Sequence, residues 1–177
     1  MGYHTDFDGE FSVTPALKPE HLVFLKAFAD TRRMQRDSVI TGKRPDPIRE
    51  AAGLPVGPEG GYFVAEGGSC GQGDWGFGEA RKEAGIVDYN KPPSGQPGLW
   101  CQWTPNADGT CIEWDGGEKF YSYTEWITYL IKNFLAPWGY KLNGSVEWNG
   151  EDRDDRGRIN IENNKVSTQF ASVTWND

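Results

Sequence analysis

Three carboxylates in one short stretch of the chain are the side chains best suited to chemistry. Glu113, Asp115 and Glu118 lie within residues 99–126, a segment that also holds four of the eight tryptophans. Glu113 and Asp115 are two residues apart, so on a β-strand they share a face. Beside aromatic stacking surfaces they could form a glycosidase-like carboxylate pair or a recognition patch for a basic or sugar-like ligand. The candidate catalytic residues are Glu113, Asp115 and Glu118, and the candidate binding residues are Trp100, Trp103, Glu113, Asp115 and Tyr121.

The same acids also have a purely structural interpretation. They could lie on a solvated strand face and pair with Lys119 or with arginine side chains. Carboxylates that converge in a concave pocket, with at least one of them buried, would favour an enzyme. Carboxylates that face water would favour a surface without catalysis.

Cysteine and histidine give a weaker case for catalysis or metal binding. A cysteine nucleophile needs a base, and the sequence offers only His4 and His21. The cysteines Cys70, Cys101 and Cys111 match no zinc-ligand spacing. Cys101 and Cys111 are typical of small core residues, whereas Cys70, between glycine-rich stretches, is expected to be exposed. We therefore predict neither a metal site nor a cofactor.

Three further patterns have a functional and a structural interpretation each. GQGDWG at 71–76 matches a dinucleotide-binding motif, but no amphipathic helix follows it, so a glycine-rich loop is expected. GEDRDDRG at 150–157 lacks the order of acids found in a calcium loop and predicts a charged hairpin loop. The basic residues Arg32, Arg33, Arg36, Lys43 and Arg44 could meet phosphate or an acidic partner. Compensation of the helix dipole is the structural interpretation of the first three.

Charge and composition exclude several classes of protein. The formal net charge is −8, and the whole excess of acid falls after residue 55. A general nucleic-acid binder needs clustered basic residues, so that function is not expected. The start of the sequence has no apolar targeting segment, and no apolar run approaches the roughly 20 residues that span a membrane. With an odd number of cysteines as well, we expect a cytoplasmic protein with reduced thiols.

In the N-terminal half, the elements are predicted from hydrophobic periodicity. Residues 3–13 alternate polar and apolar side chains, which predicts a strand with a possible bulge at Gly9. Helix spacing runs from Pro19 to about Met34, with the arginines closing the helix. Residues 38–98 are rich in glycine and proline and predict a long irregular region, interrupted by a short strand at 62–64.

The C-terminal half is more regular. Residues 99–104 and 111–115 predict a hairpin with a turn at Asp108-Gly109, and Ser122 to Glu125 match a capping box. The helix opened there has an apolar stripe that includes Trp126, and three alternating runs follow it. The order is roughly β-α-β-β-β-α-β-β-β. This predicts a single α+β domain over residues 1–177, with two main helices packed on a mostly antiparallel sheet.

Several longer motifs resemble a family of short bacterial and phage or prophage proteins that have no assigned activity. They are TDFDGEFSV, TRRM, QPGLWCQW, EWDGGEKFY and LNGSVEWNGED. The resemblance covers nearly the whole chain. It implies a bacterial or phage setting and transfers no catalytic residue, cofactor or substrate.

The sequence thus predicts a small acidic cytoplasmic binding protein whose partner is a protein or a small polar ligand. A phage or prophage association and action on a host macromolecule are further expectations. The alternative is a small hydrolase or nucleotide-processing enzyme that uses Glu113, Asp115 and Glu118 beside tryptophan residues.

Overall fold

The computed structural model describes residues 2–69, 85–172, 174 and 175. These residues form an α+β fold whose larger sheet is antiparallel, as predicted. In chain order the elements are β1 (Thr5–Thr14), α1 (Pro19–Ala29), β2 (Gln35–Arg36), α2 (Ser38–Gly42), α3 (Pro47–Ala51), a 3₁₀ turn (Pro58–Gly60), β3 (Ile86–Asp88), β4 (Trp103–Pro105), β5 (Cys111–Trp114), α4 (Tyr123–Leu130), a π-helical turn (Ile131–Leu135), β6 (Lys141–Gly150), β7 (Arg156–Glu162) and β8 (Lys165–Phe170).

The chain divides into two compact units. The first comprises Met1–Leu17 and Gln102–Asp177, and the second comprises Lys18–Cys101. The first unit contains a six-stranded sheet in the order β4-β5-β1-β6-β7-β8, and the second contains the β2-β3 pair. A single domain over residues 1–177 stays a prediction beside this division.

The sheet of the first unit follows the period-2 patterns of the sequence. β1 pairs with β6 along its whole length, from Thr5 opposite Gly150 to Thr14 opposite Lys141. That register has no interruption at Gly9, so the expected bulge is absent from β1. Glycine is needed there for space instead, because a Cβ at Gly9 would lie 2.6 Å from the carbonyl oxygen of Ser145.

One face of this sheet is the core of the first unit. Its buried side chains come from β1, β5, β6 and β7, and they are Phe11, Val13, Ile112, Leu142, Val146, Trp148, Ile159 and Ile161. The buried stripe of α4 and the following turn completes the core with Trp126, Ile127, Leu130, Ile131 and Phe134. The predicted core helix is therefore confirmed.

The start of α4 differs from the predicted capping box. Ser122 has a φ of 53°, in the left-handed region, and its side chain makes no capping hydrogen bond. The side chain of a residue in this conformation is not directed at the first N–H groups of the helix, so the capping box is wrong even though the helix begins where it predicted.

In the second unit, α1 ends earlier than the sequence predicts. The helix stops at Ala29, so Arg32, Arg33 and Arg36 lie beyond its last turn. Their guanidinium groups instead lie over aromatic rings: Arg32 over Tyr89 at 4.1 Å, Arg33 over Phe28 at 4.1 Å and Arg36 over Phe63 at 4.6 Å.

Arg33 is the centre of this arrangement. It is buried, and its Nη2 donates to the carbonyl oxygens of Gly61 at 2.7 Å and Phe63 at 3.0 Å. Arg44 pairs with Glu66, and Arg36 lies 4.0 Å from the same carboxylate. The guanidinium groups of Arg32, Arg33 and Arg36 thus contact aromatic rings, and that of Arg33 also binds loop carbonyls. Binding of phosphate or of an acidic partner by the basic residues stays a prediction, as does dipole compensation.

The glycine- and proline-rich region contains more structure than expected. Two short helices, α2 and α3, begin at aspartate caps, and β3 pairs with β2. The predicted strand at 62–64 is absent. Phe63 N–H donates to the Gly60 carbonyl and Val64 N–H to the Asp46 carboxylate, so these buried residues satisfy their backbone through a turn and a side chain.

No helix in the described part of the chain combines the length and the apolar character that crossing a membrane requires.

Candidate functional site

The face of the six-stranded sheet opposite the core carries a group of acids. Alternation along β1 places Asp6, Asp8 and Glu10 on this face, and all three are exposed. Glu113 of the neighbouring strand β5 is half-buried. We refer to Asp6, Asp8, Glu10 and Glu113 as the acidic face.

The register between β1 and β5 brings two of these acids together. Phe11 pairs with Ile112 and Ser12 with Cys111, so one step further along the strands Glu10 lies opposite Glu113. Glu10, Cys111 and Glu113 each offer one ligand atom, and these atoms all lie within 4.8 Å of one another. Two carboxylates and a thiol are therefore a compact cluster on the sheet.

The thiol in this cluster is held protonated. Cys111 Sγ donates to Glu10 Oε2 at 3.2 Å. Burial, together with the hydrogen bond and the charge of Glu10, raises the pKa of Cys111 from 9.0 to about 12. A protonated thiol is a poor nucleophile, and a metal ion bound here would first have to displace its proton.

Basic side chains leave most of the acidic face unpaired. Asp6 contacts His4, with 3.0 Å between Oδ1 and Nε2. On the adjacent strands Arg158 Nη2 lies 2.5 Å from Glu147 Oε1. Among the residues that the structure describes, no ion pair reaches Asp8, Glu10 or Glu113, so their charges face solvent or one another.

Trp103, one of the two predicted tryptophan residues, does not line this face. Trp103 is only 1% exposed, donates from Nε1 to the Tyr123 carbonyl at 2.8 Å and contacts the rings of Phe7, Phe11 and Phe120. Its ring is thus a core element that a ligand does not reach. Trp100 is half-buried in the second unit, whereas the acids belong to the first.

The other candidate residues follow β5 in an exposed turn. Asp115 N–H donates to the Gln102 carbonyl, and Asp115 Oδ1 accepts the Gly117 N–H at 2.7 Å. Glu118 is exposed, and Tyr121 is 53% exposed with its hydroxyl accepting the Tyr3 N–H at 3.0 Å. The carboxylate of Asp115 thus stabilises the turn. Asp115 and Glu118 are both exposed, whereas a catalytic acid is commonly buried.

Asp155 in the charged hairpin between β6 and β7 has a structural role. Its carboxylate accepts from Trp148 Nε1 at 2.9 Å and from the Tyr3 hydroxyl at 2.7 Å. The expected charged loop at 150–157 is thus held to the sheet by one of its acids. The motif at 71–76 and Cys70 lie outside the described residues.

Reasoning from sequence missed Asp6, Asp8 and Glu10 as candidates. The alternation of residues 3–13 already places them on one polar face, but nothing local shows which strand lies beside them. The excess of acid after residue 55 did not indicate these residues either, because the first strand supplies three of the four acids of the acidic face.

The comparisons with known proteins found no counterpart: no family model, no curated protein and no solved structure matches the chain.

Proposed function

We propose that this protein is a non-enzymatic binding protein of the cytoplasm whose acidic face docks a basic surface of a partner protein. The observation that carries the proposal is the row of carboxylates on β1 and β5, of which Asp8, Glu10 and Glu113 have no ion pair among the described residues. A surface of one sign of charge selects partners of the opposite sign and speeds their association.

The arrangement of Glu10 and Glu113 supports this role. Like charges placed directly opposite each other on neighbouring strands destabilise a sheet by a few tenths of a kcal/mol to about 1 kcal/mol. The acidic face therefore has a cost in the free protein. A lysine or arginine of a partner that lies between the two carboxylates would remove that repulsion.

The chemistry of the same cluster favours binding over catalysis. Because its pKa is raised from 9.0 to about 12, the Cys111 thiol stays protonated well above neutral pH and supplies no thiolate nucleophile. Asp115 and Glu118, the other acids of the enzyme alternative, are exposed. The Asp115 carboxylate also accepts the Gly117 N–H and so stabilises its own turn.

A host macromolecule as the target is part of the proposal. The resemblance to short bacterial and phage or prophage proteins implies a bacterial or phage setting and does not name a partner. Because the acidic face is negatively charged, we expect the partner to be a protein with a basic surface.

The proposal can be tested with two variants of equal charge. The first carries Asp8→Asn, Glu10→Gln and Glu113→Gln and removes three charges from the acidic face. The control carries Glu125→Gln, Asp154→Asn and Glu162→Gln, which removes three charges from exposed positions elsewhere in the same unit. Both lower the magnitude of the formal net charge of −8 by three.

Binding is measured by calorimetry with a poly-lysine peptide over a range of salt, and by quantitative mass spectrometry of proteins captured from a bacterial lysate. We expect the face variant to bind poly-lysine about tenfold more weakly than the control, with a shallower salt dependence. Proteins retained by both wild type and control should be lost from the face variant. Equal losses in the two variants would contradict the proposal, since net charge alone would then explain binding.

A further inference from the structure

The last strand of the six-stranded sheet has an open edge. β8 pairs with β7 on one side, and among residues 2–69, 85–172, 174 and 175 no strand pairs with its other side. Its residues are exposed, apart from Val166, which is half-buried, and Phe170 is 75% exposed. An unpaired strand edge is a template for another strand.

The hairpin geometry fixes which backbone groups point outward. Asn163 and Asn164 form a two-residue turn, both with positive φ, and Glu162 pairs with Lys165 across it. In such a hairpin Lys165, Ser167 and Gln169 exchange hydrogen bonds with β7. The N–H and C=O groups of Val166, Thr168 and Phe170 therefore point to the open edge.

This edge carries little charge for a part of an acidic chain. Residues 165–175 contain one lysine and no acid, although the formal net charge of the chain is −8. Sheet edges that must stay single are usually protected by charges, proline or a bulge. Beyond Lys165, β8 has none of these devices.

We infer that the open edge of β8 pairs antiparallel with β8 of a second copy of this chain, about a two-fold axis at Thr168. In that register Thr168 lies opposite Thr168 of the second copy, and Val166 lies opposite Phe170 of the second copy, twice. All three residues have outward-pointing backbone groups, so the pairing is self-complementary. Thr–Thr and aromatic–β-branched pairs are among the favourable cross-strand pairs.

A groove beside β8 fits the side chain that this register brings in. A cavity of about 380 Å³ lies between the end of α4 and β8, and its lining includes Thr128, Ile131, Val166 and Thr168. Phe170 of the second copy, opposite Val166, would place its ring at this groove. A cavity of roughly 150 Å³ already accepts benzene, so the volume is sufficient. Burial of two exposed phenylalanine rings supplies the apolar area for association.

The oligomeric state tests the inference. Light scattering coupled to size-exclusion chromatography should show a mass approaching twice the chain mass of 19.8 kDa as protein concentration rises about a hundredfold. Thr168→Pro should stay monomeric because it removes an outward N–H and leaves the bonds to β7 intact. The matched control Thr168→Val keeps that N–H and should dimerise, with circular dichroism confirming that all three proteins are folded.

Cross-linking tests the register independently. Paired residues on hydrogen-bonded strands have Cα atoms about 5.5 Å apart, within the range of a disulfide. Thr168→Cys should therefore form a covalent dimer with diamide, whereas wild type, with its own cysteines, and Lys165→Cys should not. A monomeric wild type, a dimer that survives Thr168→Pro, or cross-linking of Lys165→Cys as efficient as that of Thr168→Cys would each overturn the inference.

Discussion

Glu10 has contacts within the sheet and is also part of the acidic face. Its carboxylate accepts the hydrogen bond of the buried Cys111 thiol and lies opposite Glu113, while its own strand pairs with β6 on the other side. A neutral residue at position 10 would relieve repulsion within the sheet. The hydrogen bond from Cys111 is thus the structural contribution of this acid, and its repulsion with Glu113 is the structural cost.

Trp126, in contrast, has a structural role, because its whole side chain is buried in the core of the first unit. It is fully buried on α4 and makes an edge-to-face contact with Tyr129, with 5.6 Å between ring centroids. We predict that Trp126→Ala lowers the free energy of unfolding by about 3–5 kcal/mol, as large aromatic core deletions do. Urea denaturation measures the change. Tyr121→Ala, at an exposed position, is the control, and a similar loss in both variants would contradict the prediction.

At the scale of elements, the short helices of the second unit depend on their aspartate caps. Asp37 opens α2 by accepting the N–H groups of Val39 and Ile40. Asp46 opens α3, but it is fully buried and also accepts from Arg49 Nε at 3.2 Å and from Val64 N–H at 3.0 Å. One carboxylate thus joins a helix start, a buried cation and a loop.

The two caps give a matched prediction. Asp37→Ala should cost about 1 kcal/mol, the usual value for a lost cap. Asp46→Ala should cost about 3–5 kcal/mol because it leaves the buried Arg49 without its closest carboxylate and the Val64 N–H without an acceptor. Chemical denaturation followed by circular dichroism measures both. If Asp46→Ala costs no more than Asp37→Ala, the link from α3 to residues 63 and 64 does not contribute to stability.

At the scale of the whole molecule, the free energy of unfolding depends on pH in the alkaline range through two groups whose pKa is raised, Cys111 and Tyr123. Burial and Glu10 raise the pKa of Cys111 from 9.0 to about 12, and burial raises the pKa of Tyr123 from 10.0 to about 12. Between the unfolded and folded pKa values the folded chain keeps protons that the unfolded chain loses. Stability from these groups is therefore complete below about pH 9 and decreases as pH rises toward 12.

The contribution of Cys111 can be separated from that of Tyr123 by its lower starting pH. In wild type the free energy of unfolding should begin to fall near pH 9, whereas in Cys111→Ala the fall should begin near pH 10, where Tyr123 starts to contribute. Denaturant titrations across this range give the slopes. Identical slopes between pH 9 and 10 in the two proteins would contradict a protonated Cys111 in the native state.

The regular elements could be predicted because their signals are local. Alternation gave β1 and the three C-terminal strands, and the apolar stripe gave α4 with Trp126 in the core. The end of α1, the strand at 62–64 and the capping box were wrong. After the end of α1, Arg32 and Arg36 lie over the rings of Tyr89 and Phe63, and at 62–64 the Val64 N–H donates to the Asp46 carboxylate. These partners are distant in sequence, so no local pattern contains them.

The sequence by itself determined the fold class, the polar and apolar faces of the strands and the acidic balance of the chain, because each depends on periodicity or composition. Only the tertiary structure decided which acids are neighbours. Glu10 and Glu113 are far apart in the chain and meet because β1 pairs between β5 and β6, while Trp103, predicted to bind a ligand, is covered by the core. Strand order is set by the sum of contacts across the sheet, which no local pattern contains.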